Sequence, residues 1–148
     1  YLFDESVPLR KKGIIRDNFS QDMPEENIRA LILSQVLSLK LHSGHLGEVR
    51  ELCVVGGGAK NSLMMQWIAD AFNAETCAIE SPAVAAPLGC AISAAVKSLD
   101  ISYVEAAETY VKKDTSSIKR PIPVNVNIMK GLIKRYNELE NSNFMKGI

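Results

Sequence analysis

The chain has 148 residues, a length typical of a single domain. Its 17 Lys and Arg residues equal its 17 Asp and Glu residues, so the formal net charge is zero. A neutral chain lacks the positive field that draws proteins to nucleic acid or acidic membranes, so neither is predicted as a partner. The 47% of hydrophobic and 23% of charged residues are typical of a globular protein and not of a disordered one.

The Ala-rich uncharged segment of residues 83–96 is broken by Pro87 and is shorter than the roughly 20 apolar residues of a membrane-spanning helix. The sequence therefore predicts no transmembrane segment. Cys53, Cys77 and Cys90 are odd in number and widely spaced, which fits neither a disulfide framework nor a zinc site. We expect them to be small buried residues in a reducing compartment, which indicates a cytoplasmic protein without a metal site.

Residues 1–23 show no sustained periodicity and predict an irregular entry segment. Asp22 is a candidate N-cap, and Pro24 and Glu25 follow it, so a long helix is predicted from there to about Ser43. Its apolar face is wide, which predicts that the helix is covered on two sides. The apolar positions on this face include Ile28, Leu31, Ile32, Val36 and Leu39.

Residues 51–55 are nearly all apolar and end in three glycines, as a strand buried on both faces would. A helix is predicted directly after them, with Asn61 or Ser62 as its cap and Asn73 as its end. Residues 76–79 predict a second strand. Residues 86–99 predict a third helix, whose many small residues permit close approach of another backbone.

Residues 114–123 predict a surface connection, and residues 125–140 predict a final helix. The alternation of helices and strands predicts an α/β fold with parallel strands. Only two strands are convincing, whereas a sheet buried on both faces normally has more. We therefore expect the chain to be part of a domain whose other strands come from elsewhere.

Gly56, Gly57 and Gly58 lie between the first predicted strand and the following helix. Three residues without a Cβ let a ligand lie against the main chain, and the free N–H groups at a helix start favour an anion or the polar edge of a ligand. The pattern predicts a nucleotide site. The alternative is a glycine turn that only reverses the chain.

Two familiar phosphate-binding patterns fit this turn only in part. The G-x-x-x-x-G-K-[ST] loop fails because Asn61 follows Lys60. The dinucleotide fingerprint matches at Gly56 and Gly58, and Glu80 lies near the place of its ribose-binding acid, but Asn61 stands where its third glycine belongs. An NAD-dependent Rossmann oxidoreductase stays open as an alternative.

Three stretches resemble the C-terminal lobe of the FGGY family of carbohydrate kinases, and xylulose kinases are the most similar-looking branch. They are residues 54–61, 66–72 and 87–94. The resemblance implies an α/β lobe of the ribonuclease-H-like, actin-like ATPase type, present in part, with parallel strands and flanking helices. It implies that residues 24–124 are the nucleotide-binding C-terminal part of the second lobe, and residues 125–148 the C-terminal helix and tail.

The resemblance also implies roles for individual residues. The glycine turn of Gly56, Gly57 and Gly58 would lie under the adenosine and α-phosphate of ATP, and Asn61 would approach the base or ribose. Asp70 would belong to the scaffold. Gly89 would be a close-packing position of the third helix. Pro87 and Val84 depart from the family pattern, although the first turn of a helix tolerates Pro.

The implied function is the C-terminal nucleotide-binding portion of an ATP-dependent sugar kinase, which transfers the γ-phosphate of ATP to a hydroxyl of a ketose or polyol. Its cofactors would be ATP and Mg²⁺, and its partners a small sugar and the upstream N-terminal lobe. The catalytic base is expected upstream, so no catalytic residue is assigned here and the chain alone is predicted to be inactive. A non-catalytic actin-like module that senses nucleotide or binds a partner stays an alternative, and a homo-oligomer stays open.

Overall fold

The computed structural model describes residues 3–6, 9–81 and 84–143. It divides the chain into two compact units, which are described separately. The first comprises Tyr1–Glu48 and Ile122–Ile148, and the second comprises Val49–Pro121. The domain division at residues 23 and 124 stays a prediction. Among the helices of the described ranges, none has the combination of length and apolarity that crossing a membrane requires.

The elements follow one another in an order that largely alternates between strands and helices. They are β1 (Glu5–Ser6), β2 (Leu9–Arg10), α1 (Pro24–His42), β3 (Glu51–Val54), α2 (Ser62–Phe72), β4 (Glu75–Ile79), α3 (Ala85–Leu99), α4 (Tyr103–Tyr110), β5 (Lys113–Lys119) and α5 (Pro123–Asn143). Short 3₁₀ turns cover Gly44–Leu46 and Gly57–Lys60. The predicted helices and the two predicted strands are therefore present. The elements that were not predicted are α4, β5 and the short strands β1 and β2, which lie in the predicted irregular entry segment.

The first unit contains the β1–β2 antiparallel hairpin and the helices α1 and α5, which pack together. Val36 and Leu37 of α1 and Val126 and Met129 of α5 are buried. The predicted cover on two sides of α1 is not found among the described residues of this unit. Apolar side chains of α1 that remain exposed are Ile28, Leu31 and Leu39.

The start of α1 differs from the prediction. Met23, not Asp22, is the N-cap, and its side chain makes no capping hydrogen bond. The Asp22 carboxylate instead accepts a hydrogen bond from the Ser20 hydroxyl. Asn27 Nδ2 donates to the carbonyl oxygen of Met23 at 2.6 Å, which ties the entry segment to the first turn. Pro24 is the first residue of the helix. A backbone N–H at this position has no carbonyl partner within the helix, so the absence of an N–H in proline removes no hydrogen bond.

A buried carboxylate joins the two ends of the first unit. Glu140 of α5 is 2% exposed and accepts a hydrogen bond from Arg10 at 3.1 Å. His42 Nε2 lies 3.0 Å from the other carboxylate oxygen. Because a buried charge needs partners, these contacts specify how α1, α5 and the hairpin meet.

The second unit is built on a three-stranded sheet with the order β3-β4-β5. The β3–β4 pair is parallel, as predicted, and pairs Cys53 with Cys77. The β4–β5 pair is antiparallel. The interpretation of residues 114–123 as a surface connection was wrong, because Lys113–Lys119 form this third strand.

α2 packs against β4 and encloses a small core made by Ala59, Met65 and Ala78. The Thr76 hydroxyl donates to the carbonyl oxygen of Met65 at 3.2 Å inside this core. Asn73 ends α2 in the left-handed conformation, with φ of 51°, which confirms the predicted stop.

α3 packs against α4 and has no buried residue among those described. Pro87 lies in its first turn, where proline is tolerated, and Val84 is its N-cap. A Cβ placed on Gly89 would meet no described atom within 4 Å. Within the described residues, no other backbone therefore packs closely against Gly89, in contrast to the expectation.

Candidate functional site

The glycine turn lies at the carboxyl end of β3 and leads directly into α2. Gly56 has φ of 82° and ψ of −166°, a conformation that side-chain-bearing residues rarely adopt. The Ala59 N–H donates to the Gly56 carbonyl at 3.3 Å, and the Asn61 N–H donates to the Gly58 carbonyl at 3.0 Å. The main chain thus forms a tight, internally bonded turn between strand and helix.

The three glycines have different surroundings. A Cβ added to Gly56 or Gly57 would meet no atom of the described chain within 4 Å. A Cβ on Gly58 would lie 3.1 Å from Met64 Sδ, so this glycine permits close packing of the turn on α2. The main chain at Gly56 and Gly57 is therefore open to a ligand, as the nucleotide hypothesis requires.

Asn61 is the N-cap of α2, as predicted. Its Oδ1 accepts hydrogen bonds from the N–H groups of Leu63 and Met64, each at 3.1 Å. Because these N–H groups require an acceptor, the bonds fix the orientation of the amide and turn Nδ2 away from them. The exposed side chain can cap the helix and still offer its Nδ2 donors to a ligand.

A pocket of about 420 Å³ adjoins the turn, between the first turn of α2, the end of β4 and β5. The three glycines and Asn61 are not part of its lining. Residues of both charges line it, together with hydroxyl groups. The lining comprises Ala59, Lys60, Ser62, Met65, Ala78, Ile79, Glu80, Asp114, Ser116, Ser117 and Lys119.

The contribution of β5 to this pocket was missed in the sequence. The Ala78 N–H donates to Ser117 Oγ at 2.7 Å, at the point where the β4–β5 register shifts. The Ser117 hydroxyl in turn donates to the Asp114 carbonyl at 2.6 Å. The run of Ser, Thr and Asp that suggested a loop is the sequence of an irregular edge strand.

Asp70 is part of the scaffold of α2. It is fully buried, and its carboxylate accepts a hydrogen bond from Gln66 Nε2 at 3.0 Å. Gln66 also donates to the carbonyl oxygen of Arg120 at 2.9 Å, which connects α2 to the end of β5. Within residues 3–6, 9–81 and 84–143, no three His, Cys, Asp or Glu side chains are grouped to hold a metal ion.

One known protein family matches the sequence of this chain. The model of the C-terminal domain of the FGGY family of carbohydrate kinases matches residues 6–98, which is more than half of the sequence. The chain belongs to the FGGY family. The resemblance inferred from the glycine turn and the two helix motifs is thereby confirmed. A search of curated protein sequences found no match.

A solved structure shares the fold of this chain. A xylulose kinase from Rhodospirillum rubrum superposes with a TM-score of 0.64 at 16% sequence identity. The match covers 85% of this chain and 26% of the kinase, so the FGGY chain described here spans about a quarter of that protein's length. The predicted α/β, ribonuclease-H-like architecture of a partial lobe is confirmed.

Proposed function

We propose that this chain is the C-terminal nucleotide-binding portion of an ATP-dependent sugar kinase, which transfers the γ-phosphate of ATP to a hydroxyl of a ketose or polyol. The main support is the open main chain at Gly56 and Gly57, immediately before α2. Membership of a carbohydrate kinase family supports the same function. The similarity to a xylulose kinase supports a xylulose-like substrate. The odd number and wide spacing of the cysteines support a reducing compartment, and hence a cytoplasmic location.

In this proposal the adenosine lies against Gly56, Gly57 and Gly58, with the Nδ2 donors of Asn61 directed to the base or ribose. The N–H groups of Leu63 and Met64 are already bonded to Asn61, so it is the positive end of the α2 dipole that would favour the negative charge of the phosphates. The described residues offer no metal site of their own, so Mg²⁺ would be held by the ATP phosphates and by residues outside them. No step of the reaction is therefore assigned to a metal ligand on this chain.

The sugar, the catalytic base and the rest of the phosphate site are assigned to an N-terminal lobe. Phosphoryl transfer needs in-line positioning and charge stabilisation on both sides of the phosphate. Closure of two lobes would provide this arrangement and exclude water. We therefore expect these 148 residues alone to be inactive. Formation of ADP from ATP and any member of a panel of ketoses by this chain alone would contradict that expectation.

Isothermal titration calorimetry with ATP and Mg²⁺ tests the nucleotide site. We expect saturable heat with ATP and none with NAD. Gly57→Val should weaken ATP binding at least about tenfold, or 1.4 kcal/mol, because its side chain would occupy the open space over the turn. The thermal unfolding midpoint of this variant should stay close to that of the unmodified protein.

Gly131→Ala is the matched control for this titration. Gly131 lies in α5, and a Cβ there also meets no described atom within 4 Å. It should leave ATP binding unchanged. Absence of saturable heat with ATP would favour a non-catalytic module without nucleotide, and tighter binding of NAD than ATP would favour the oxidoreductase alternative.

A further inference from the structure

Two cysteines lie opposite each other on neighbouring strands of the sheet. Cys53 of β3 and Cys77 of β4 are register partners, and their Sγ atoms are 3.4 Å apart. Neighbouring strands lie about 4.8 Å apart, within the Cα separation of about 4.4–6.8 Å that a disulfide spans. A bond of about 2.05 Å requires the two sulfurs to approach by about 1.4 Å, which side-chain rotation can supply.

The two thiols differ in their access to solvent. Cys53 is exposed, whereas Cys77 is 1% exposed. The expectation that all three cysteines are buried was therefore wrong, since Cys90 is exposed as well. A dissolved oxidant reaches Cys53 first, and Cys77 on the neighbouring strand is the second thiol. This is the arrangement of a reactive and a resolving cysteine.

A carboxylate lies next to the pair. The Cys77 thiol donates a hydrogen bond to Glu51 Oε1 at 3.7 Å. Glu51 forms a salt bridge with Lys113 of β5. The hydrogen bond from Lys113 lowers the pKa of Glu51, so the carboxylate stays charged near neutral pH. The charged Glu51 accepts the hydrogen bond of the Cys77 thiol but is too weak a base to remove its proton, which leaves instead with the departing hydroxide.

The geometry points to a reversible disulfide between Cys53 and Cys77, formed when the protein meets hydrogen peroxide. The Cys53 thiolate attacks one peroxide oxygen, so an S–O bond forms, the O–O bond breaks, and one water leaves after protonation. Cys77 sulfur then attacks the Cys53 sulfenic acid. The S–S bond forms, the S–O bond breaks, and the hydroxide leaves as a second water with the proton of Cys77.

The burial of Cys77 limits the rate of the second step, its attack on the Cys53 sulfenic acid. Desolvation, and then the hydrogen bond with Cys53, raise the pKa of Cys77 to about 12, so little of this thiol is ionised at neutral pH. Closure should be slow, and a thiol reductant should reverse it. Disulfides of this kind in reducing compartments are typically transient and sense oxidants.

Alkylation with N-ethylmaleimide after peroxide treatment tests the pair. The folded protein is treated with hydrogen peroxide, the peroxide is removed, and the protein is unfolded and alkylated before mass spectrometry. We expect two of its three thiols to become resistant to alkylation, and peptide mapping to join Cys53 to Cys77. Dithiothreitol should restore all three thiols.

Single substitutions separate this reaction from general oxidation. Cys90→Ser should still form the link, because Cys90 lies on α3 and contributes nothing to the pair. Cys53→Ser should leave Cys77 reduced and available for alkylation. Oxidation of Cys53 to sulfinic acid with Cys77 still alkylated would overturn the proposal. A dominant link through Cys90, or between two molecules, would overturn it as well.

Discussion

The positive φ of Gly56 predicts a stability effect that its neighbour does not share. Gly56→Ala places a Cβ on a residue with φ of 82° and ψ of −166°, a conformation essentially confined to glycine, and should lower the free energy of unfolding by about 1–3 kcal/mol. Gly57 has no positive φ and open space around it, so Gly57→Ala should change this energy by less than about 0.5 kcal/mol. Urea unfolding of both variants checks the difference, and equal losses would contradict the assigned conformation.

The capping role of Asn61 is separable from its proposed contact with nucleotide. Asn61→Ala removes the acceptor for two N–H groups and should cost about 1 kcal/mol of stability. Asn61→Asp keeps this acceptor but removes the amide donors, so it should retain stability and weaken ATP binding. Urea unfolding and calorimetry together check the pair. Loss of stability in Asn61→Asp equal to that in Asn61→Ala would argue against the cap.

The caps of α2 could be predicted from sequence because they depend on adjacent residues. Asn61 and Asn73 act on N–H and carbonyl groups within a few positions of themselves. The cap of α1 could not be predicted in the same way. The carboxylate of Asp22 is occupied by Ser20, and Asn27 from inside the helix bonds the carbonyl of Met23 instead.

Among the elements, the junction of β4 and β5 depends on one side chain. Ser117→Ala would leave the Ala78 N–H without its acceptor at a point where the register shifts. A buried donor without a partner costs about 1–3 kcal/mol, so this variant should lose that much stability. Ser116→Ala is the matched control, because Ser116 is exposed and bonds only to the nearby Asp114 in the described hydrogen bonds. Similar unfolding midpoints for the two variants would contradict the role of Ser117.

β5 and α4 show where sequence patterns were insufficient. β5 reads Lys-Asp-Thr-Ser-Ser-Ile-Lys, without apolar alternation. It is a half-exposed strand at the edge of the described sheet, and its irregular pairing needs no such pattern. α4 has only eight residues, so its periodicity is weak. A local signal was nevertheless present, since Ser102 caps α4 by accepting from the Glu105 N–H at 3.1 Å, in the Ser-x-x-Glu pattern of a capping box.

At the scale of the whole molecule, several ion pairs and hydrogen bonds make the free energy of unfolding depend on pH in the acidic range. The backbone N–H of Lys12 holds the pKa of Asp4 below 3.8, and Arg135 does the same for Asp17. Lys113 lowers the pKa of Glu51 below 4.5. Each carboxylate therefore binds a proton more readily in the unfolded chain than in the folded one. Their stabilising contribution is complete above about pH 4.5 and is lost as the pH falls through the folded pKa values.

Urea midpoints measured between about pH 7 and pH 3 check this dependence. We expect the midpoint to fall below about pH 4.5, and Asp17→Asn to flatten the fall. High salt should weaken the effect, because these groups are exposed and surface ion pairs are screened. A midpoint that rises with acid would contradict the assigned direction of the pKa values.

The division into two units is the feature that the sequence predicted least. Glu140 meets His42 across 98 positions and Arg10 across 130 positions of the chain. Neither contact leaves a local pattern, because each residue type is common on an exposed helix face. The parallel β3–β4 pair was predictable, since both strands are local apolar runs, whereas the third strand, β5, has no such run and was missed. The position of Gly56, Gly57 and Asn61 between strand and helix was predictable for the same reason.

The contrast between Gly56 and Gly57 has a consequence for genetic variation. Changes at codon 56 should reduce the amount of folded protein, whereas changes at codon 57 should leave abundance intact and, under the proposed nucleotide role, remove activity. A saturation screen that reports only expression would retain the second class. A growth selection that requires the reaction would discard both, so two adjacent codons would distinguish selection for folding from selection for function.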